Sequence, residues 1–384
     1  MTNDAGDDEA AREVEARAAL SRAIDAAGGW LDFEQAMELL LYAPGLGYYT
    51  GGAQKFGAGG DFVTAPELSP LFAQGIASGI APVLRETRGD VLEIGAGSGA
   101  LAVALLEALE AEGAPPARYR ILELSAELRE RQHERFASLP VALRSRIEFV
   151  LAPPAHEWTG VLVANEVLDA LPVRCFACRD DRVLERGAAL APDGRAHWAE
   201  RPAAPAHAAE VRRLLGDGPL PEGYESEWCP RTGAWVRAVT QALVRGVALF
   251  ADYGLPRHEY YHPTRDRGTL RCHYRHRAHD DPWMHPATQD ITAWVDFTRV
   301  AEAADDAGLD VLGYTTQAAF LLATGIESRI AAAEGTRARA QLAHGARRLL
   351  MPDEMGETFK LMALGRGWDA PLPAFALQDL RSRL

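Results

Sequence analysis

The stretch Glu93-Ile-Gly-Ala-Gly-Ser-Gly-Ala-Leu101 constrains this chain more than any other. A short apolar run, Val91-Leu92, precedes it, and an apolar helical run, Leu101 to Leu109, follows it. Strand, glycine turn and helix together bring backbone N–H groups and a helix N-terminus up to a ligand. The glycines permit positive φ and keep side chains out of the ligand's way. On its own, a glycine-rich turn is also compatible with a plain loop. By spacing, Gly95-x-Gly97-x-x-Ala100 fits the dinucleotide fingerprint too, so the glycines do not choose the ligand. Glu93 chooses. A carboxylate beside the landing site of a pyrophosphate is repulsive, whereas an ammonium and a sulphonium are attracted to it. The residues therefore point to S-adenosylmethionine rather than to NAD, with Glu93, Gly95, Gly97 and Gly99 as its candidate contacts.

A second acid stands where such a ligand needs one. Tyr119-Arg-Ile-Leu-Glu123 reads as the next strand, and Ser125 is placed to cap the following helix, Ala126 to Phe136. Doubly wound folds place an acid about 20 residues beyond the glycine turn, where it takes the ribose hydroxyls. Glu123 lies slightly further on, which a longer first helix accounts for.

Charge and cysteine content exclude several classes. The chain has 384 residues, 48% of them apolar, and a net charge of −14. That charge disfavours nucleic acid or an anionic membrane as partner and suits a cationic one. No apolar run approaches a membrane span of about 20 residues, so no membrane insertion is expected. The acidic N-terminus matches neither a signal nor a transit peptide, so a cytoplasmic location is expected. Four cysteines are too sparse for a disulfide framework. Cys175-x-x-Cys178 lies in a strand-like context without a second pair, so no metal site is expected.

Along the chain, residues 1–75 read as an N-terminal helical extension with a cofactor-covering segment. Residues up to about 10 are expected to be disordered, and a helix is expected over 11–27. The segment from Gly57 through Thr64 to Ser69 is glycine-rich, and Asp61, Thr64 and Ser69 are hydrogen-bonding types suited to the cofactor. Residues 76–172 and 231–368 read as two parts of one α/β core, with strands at 147–151, 160–164, 246–252 and 359–364. Helices are expected over 231–244, 291–307 and 326–350. Residues 173–230 interrupt the core as an α+β insertion forming part of a substrate wall. Residues 255–290, rich in histidine and tyrosine, read as a lid loop, and 369–384 as a loosely packed tail.

The second dense motif is Val161-Leu-Val-Ala-Asn165-Glu166-Val-Leu-Asp169. An apolar strand ends there in polar residues, at the edge where open α/β sheets hold ligands. One helical turn would set Glu166 and Asp169 on the same side, able to grip a guanidinium. Asn165, Glu166 and Asp169 are the candidates for catalysis. Asp252-Tyr-Gly254 ends another strand at the same predicted edge.

Together these motifs resemble the MidA family of class I S-adenosylmethionine-dependent methyltransferases. The resemblance adds Gly60-Asp-Phe-Val-Thr-Ala-Pro-Glu-Leu-Ser69, Glu123-x-Ser125-x-x-Leu128-Arg129-x-x-Gln132 and Gly268-Thr-Leu-Arg271, and runs from about residue 30 to 368. Trp294 departs from it, where the family pattern leads one to expect histidine. The resemblance implies a doubly wound, Rossmann-like sheet and, as substrate, an accessible arginine on a partner protein, since mitochondrial members serve complex I assembly. Two other readings remain open at this stage: a non-catalytic assembly factor that binds the cofactor, and an NAD-dependent oxidoreductase, which Glu93 disfavours. The oligomeric state is left open, a homodimer included.

Overall fold

The computed structural model describes residues 4–51, 64–216 and 218–384. The chain divides into two compact units, each assembled from three stretches of sequence. One holds Val63–Leu168, Thr232–Leu255 and Phe297–Leu384; the other holds Met1–Phe62, Asp169–Arg231 and Pro256–Asp296.

The first unit is built on strands β1 (Asp90–Ile94), β2 (Tyr119–Leu122), β3 (Ile147–Val150), β4 (Trp158–Asn165), β5 (Leu243–Leu255), β6 (Asp310–Thr316) and β7 (Phe359–Arg366). Their order across the sheet is β3-β2-β1-β4-β5-β7-β6. β1 through β5 pair in parallel, and β7 runs antiparallel between β5 and β6. Val161 to Ala164 are all buried, the unbroken apolar run that a parallel strand covered on both faces requires. Helices α1 (Pro70–Thr87), α2 (Ala100–Ala111) and α3 (Ala126–Phe136) follow the stops and starts written in the sequence. Ser69 caps α1 with proline next in line, and Ser125 caps α3 by accepting from Leu128 N at 3.3 Å. Ile76, Ile80, Leu105 and Leu106 pack with Val91 and Val163 in one core. Each such buried side chain contributes about 1.5–3 kcal/mol.

The order of this sheet reverses between β1 and β4. Strand β1 leads into the glycine turn, and β4 leads into Asn165 and Glu166. Open α/β sheets bind ligands at such a switch point, beyond the carboxyl ends of the strands.

In the second unit the N-terminal helix spans Asp4–Ala26, longer than its sequence suggested. Ala16, Leu20 and Ile24 are buried, and Glu13 accepts hydrogen bonds from Thr288 and Arg17, so tertiary packing orders a segment of low apolar content. The insertion forms an antiparallel sheet of four strands: Arg174–Arg179, Arg182–Leu190, Ala196–Pro202 and Glu225–Trp228. Leu31–Asp32 extends it, and Glu34 pairs with Arg174 at 2.9 Å and Arg231 at 2.7 Å. The N-terminal extension and the insertion thus fold into one unit.

Besides the longer N-terminal helix, further expectations need correction, among them the helix over 326–350, which is two helices, Ile326–Ala332 and Thr336–Leu350. Part of residues 255–290 forms a small sheet, with Arg271–Tyr274 between Arg277–His279 and Asp290–Thr292. The expected helix over 291–307 begins only at Phe297, because Asp290–Thr292 and Val295–Asp296 are extended. The tail is not loose: Leu372, Ala374 and Phe375 are buried in the first unit's core. Phe375 packs over Gly313, where an added Cβ would lie 2.3 Å from its ring. No helix among the described residues is long and apolar enough to cross a membrane.

Candidate functional site

The glycine turn adopts the backbone its sequence calls for. Gly95, Gly97 and Gly99 have φ of +66°, +53° and +79°, values that side-chain-bearing residues seldom adopt. Glu93 stands at the end of β1, 2% exposed. Among the described residues its one hydrogen-bond donor is the Tyr119 hydroxyl, at 2.8 Å. Burial pushes the Glu93 carboxyl up to about 7; the Tyr119 bond opposes this and the nearby charge of Glu123 adds to it.

Glu123, also buried, accepts from Ser125 N at 2.9 Å and from Gln132 Nε2 at 3.4 Å. Gln132 Nε2 donates as well to the Gly97 carbonyl at 2.8 Å. Glu93, Gly95, Gly97, Gly99 and Glu123 are therefore gathered at one edge of the sheet.

Of the covering segment, Asp61 lies outside the described residues. Thr64 precedes a short helical turn, Ala65–Leu68, without a side-chain cap. Glu67 in that turn accepts from the hydroxyl of Ser98, in the glycine turn, and from Arg135 Nη1 at 2.9 Å. Ser69 faces elsewhere in part. It caps α1 and packs on Gly345, where a Cβ would lie 2.7 Å away.

The segment after β4 corrects the sequence reading. Residues 166–173 are not helical, so Glu166 and Asp169 are not one helical turn apart on a common face. Glu166 has φ +53°, in the left-handed region, and its N–H donates to Ala251 O at 2.9 Å. Asp252 shapes this bend: its Oδ2 accepts from Val167 N at 3.1 Å and Leu168 N at 2.9 Å. A non-glycine residue held in this region costs about 1–3 kcal/mol. Asn165 Nδ2 donates to Glu166 Oε1 at 3.0 Å, which aims the carboxylate. A Cβ on Gly95 would lie 3.1 Å from Val167 Cγ2, so this bend sits against the glycine turn.

Asp169 belongs to the other unit. Its backbone carbonyl accepts from Ala293 N at 3.0 Å. Its charge and that of Asp290 both act on the phenols of Tyr42 and Tyr49, which burial drives well above the usual tyrosine range. Tyr49 donates to Asp290 Oδ1 at 2.8 Å, and the two rings stack at 5.4 Å. Asp169, Asp290, Tyr42 and Tyr49 thus form one acidic and aromatic group, its acids buried and its two rings partly exposed. Sequence reasoning missed its last three members, because their positions are far apart and carry no spacing signal.

Glu227 was also missed. Buried at 2% exposure, it accepts from Thr269 N at 2.9 Å, Thr269 Oγ1 at 2.7 Å and Tyr260 Oη at 2.7 Å. A Cβ on Gly268 would lie 2.2 Å from its Oε2, which explains the glycine in Gly268-Thr-Leu-Arg271. Thr269 Oγ1 in turn accepts from Trp294 N at 2.9 Å.

The donor set fits S-adenosylmethionine: buried carboxylates suit its cationic end and its ribose, and the positive-φ glycines leave backbone open to it. The comparisons agree. A family model described as S-adenosyl-L-methionine-dependent methyltransferase matches residues 76–315. A COG1565 superfamily member from Burkholderia thailandensis, crystallised bound to S-adenosyl-homocysteine, is 46% identical with a TM-score of 0.93 over 98% of each chain. The mitochondrial protein arginine methyltransferase NDUFAF7 of Danio rerio is 27% identical over 88% of this chain and 84% of its own length. Its human counterpart is 28% identical over 85% and 78%. With strand order, glycine turn and relatives in agreement, this chain belongs to the MidA-like family of S-adenosyl-L-methionine-dependent methyltransferases.

Proposed function

We propose that the methyl acceptor is an arginine on a partner protein. When bound, S-adenosylmethionine supplies an electrophilic methyl group; the chain's own residues bind, orient and manage charge. Glu93 and the backbone of Gly95, Gly97 and Gly99 hold the amino-acid end, and Glu123 takes the ribose hydroxyls. The segment carrying Asp61, Thr64 and Ser69 covers the cofactor, a reading supported at Glu67 by its tie to Ser98.

Asn165 and Glu166 meet the acceptor nitrogen. An arginine stays protonated in water, so its nitrogen must be oriented and partly relieved of its proton as it reacts. A carboxylate accepts that hydrogen bond and offsets the charge that builds up. Asp169, which belongs to the other unit, is a candidate for binding the same class of cation. The observation that carries this reading is the company Asp169 keeps: with Asp290, Tyr42 and Tyr49 it offers buried acceptors and partly exposed aromatic faces, chemistry suited to a planar cation. The relatives' description as protein arginine methyltransferases supports the same acceptor.

The test is to incubate the full chain with lysate and cofactor labelled on its methyl group, then hydrolyse the labelled protein band. Label recovered as methylarginine with the wild type, and reduced about 100-fold with Glu166→Gln at unchanged cofactor affinity, supports the proposal. Label on another amino acid, or on a small molecule only, overturns it.

A further inference from the structure

Three residues on one face of α3 meet three consecutive residues of the glycine turn. Gln132 donates to Gly97 O at 2.8 Å, and Arg135 donates to Ser98 Oγ at 2.8 Å. The Phe136 ring would stand 3.0 Å from a Cβ on Gly99. Spacings of three and four residues put these side chains on the same side of the helix. Gln132 does more than its neighbours, because the same Nε2 also reaches Glu123 Oε2 at 3.4 Å. One primary amide therefore joins the turn to the strand-end acid.

The amide's orientation is fixed by chemistry. Turned over, it would set Oε1 against a carbonyl and a carboxylate, acceptor on acceptor. In the orientation found, Gln132 is 0% exposed and, among the described residues, Oε1 has no hydrogen-bond partner. A buried acceptor without a donor is unfavourable; a methionine of similar length would avoid that penalty but would leave Gly97 O and Glu123 Oε2 without this donor. What the amide gains for that penalty is a link between the turn and the strand-end acid.

We infer that Gln132 is a positioning residue for the cofactor: it sets the separation between the Gly97 backbone and Glu123, while Arg135 and Glu67 fix Ser98 behind the turn. The inference rests on the reading that this turn and Glu123 seat the cofactor. A neutral double donor is what the place requires. A carboxylate there would repel Glu123, and an alkyl chain would release both acceptors.

The test uses the full chain, with S-adenosylhomocysteine affinity measured by calorimetry and the thermal midpoint measured without ligand. Gln132→Met is expected to weaken binding about tenfold or more with no more than a small fall in the midpoint, since it relieves the unmet Oε1 while stranding Gly97 O and Glu123 Oε2. Gln132→Glu is expected to bind weakly at about pH 8 and to recover toward wild type at about pH 5, each compared at the same pH, because a protonated carboxyl donates again. Unchanged affinity in both variants overturns the inference. So does a loss of affinity that tracks a fallen midpoint and does not recover at low pH, which is what a merely structural role would give. Gly97→Val serves as the reference. If it binds as wild type does, the seat itself is wrong and the inference falls with it. If it abolishes binding while both Gln132 variants bind normally, the positioning role alone is overturned.

Discussion

Glu93 and Glu227 are buried to the same degree, each 2% exposed, and their surroundings could hardly differ more. Glu227 in the second unit accepts three hydrogen bonds, from Thr269 N, Thr269 Oγ1 and Tyr260. Glu93 at the glycine turn accepts one, from Tyr119. Burial raises both carboxyls, and for Glu227 the three donors and the charge of Arg186 pull the other way. For Glu93 the result stands at about 7. The contrast separates two uses of a buried acid. Glu227 is satisfied by the protein itself and locks the Gly268–Arg271 segment in place. Glu93 keeps acceptor capacity that a cationic ligand can use, at the expense of stability in its absence.

The comparison breaks first at Glu227. Glu227→Leu should destabilise the fold by about 3–5 kcal/mol, since it strands a buried N–H and two hydroxyls. Urea unfolding checks this, and a loss under about 1 kcal/mol would remove the structural half of the contrast.

The next test is the pH dependence of Glu93. A carboxyl whose folded pKa lies above its ordinary 4.5 favours the protonated native state. Stability from this group is therefore full below about 4.5 and is lost as pH rises toward about 7. The whole loss is on the order of 3 kcal/mol. Glu93→Gln should flatten that slope in unfolding curves taken across the window. Its affinity for S-adenosylmethionine should also stop rising with pH through the neutral range, where the wild type's rises as the carboxylate forms. A slope that survives the substitution belongs to another group.

Glu123→Ala sharpens the contrast from the ligand side. Calorimetry should show binding weakened by about 1.5–3 kcal/mol, the scale of hydrogen bonds to a charged group. A deficit no larger than that of an exposed carboxylate would take Glu123 out of the site.

The smallest effect belongs to Glu13, a carboxylate rich in partners but only partly buried. It accepts from Arg17, Thr288 and His285, yet Glu13→Gln should cost no more than about 1 kcal/mol in thermal unfolding. A larger loss would mean that donor number outweighs burial in this protein.

The features legible in the sequence are those set by neighbours in the chain. The glycine turn, its flanking strand and helix, and the Ser125 cap all rest on local backbone needs. The apolar run Val161–Ala164 was legible because a doubly covered strand leaves no polar position. Reading failed where distant residues decide. Glu166 was placed on a helix because nothing adjacent shows that Asp252, far along the chain, captures the N–H groups of Val167 and Leu168. Asp290 joins Tyr49 by a bond spanning 241 positions, and no periodicity carries such a pairing. The N-terminal helix looked too polar to be ordered beyond its apolar stripe, because its partners lie near residue 285.

The place of β7 has a consequence for how this molecule is made. Phe359–Arg366 is threaded between β5 and β6, so an inner seam of the sheet is filled by a segment synthesised long after β5. At about 5–20 residues per second, translation leaves β5 without its neighbour for several seconds or more. During that interval a long apolar edge is open to pairing with any other strand. Chaperone occupancy on nascent chains should therefore persist until residue 366 has emerged, and premature termination before β7 should yield aggregates rather than a smaller folded enzyme.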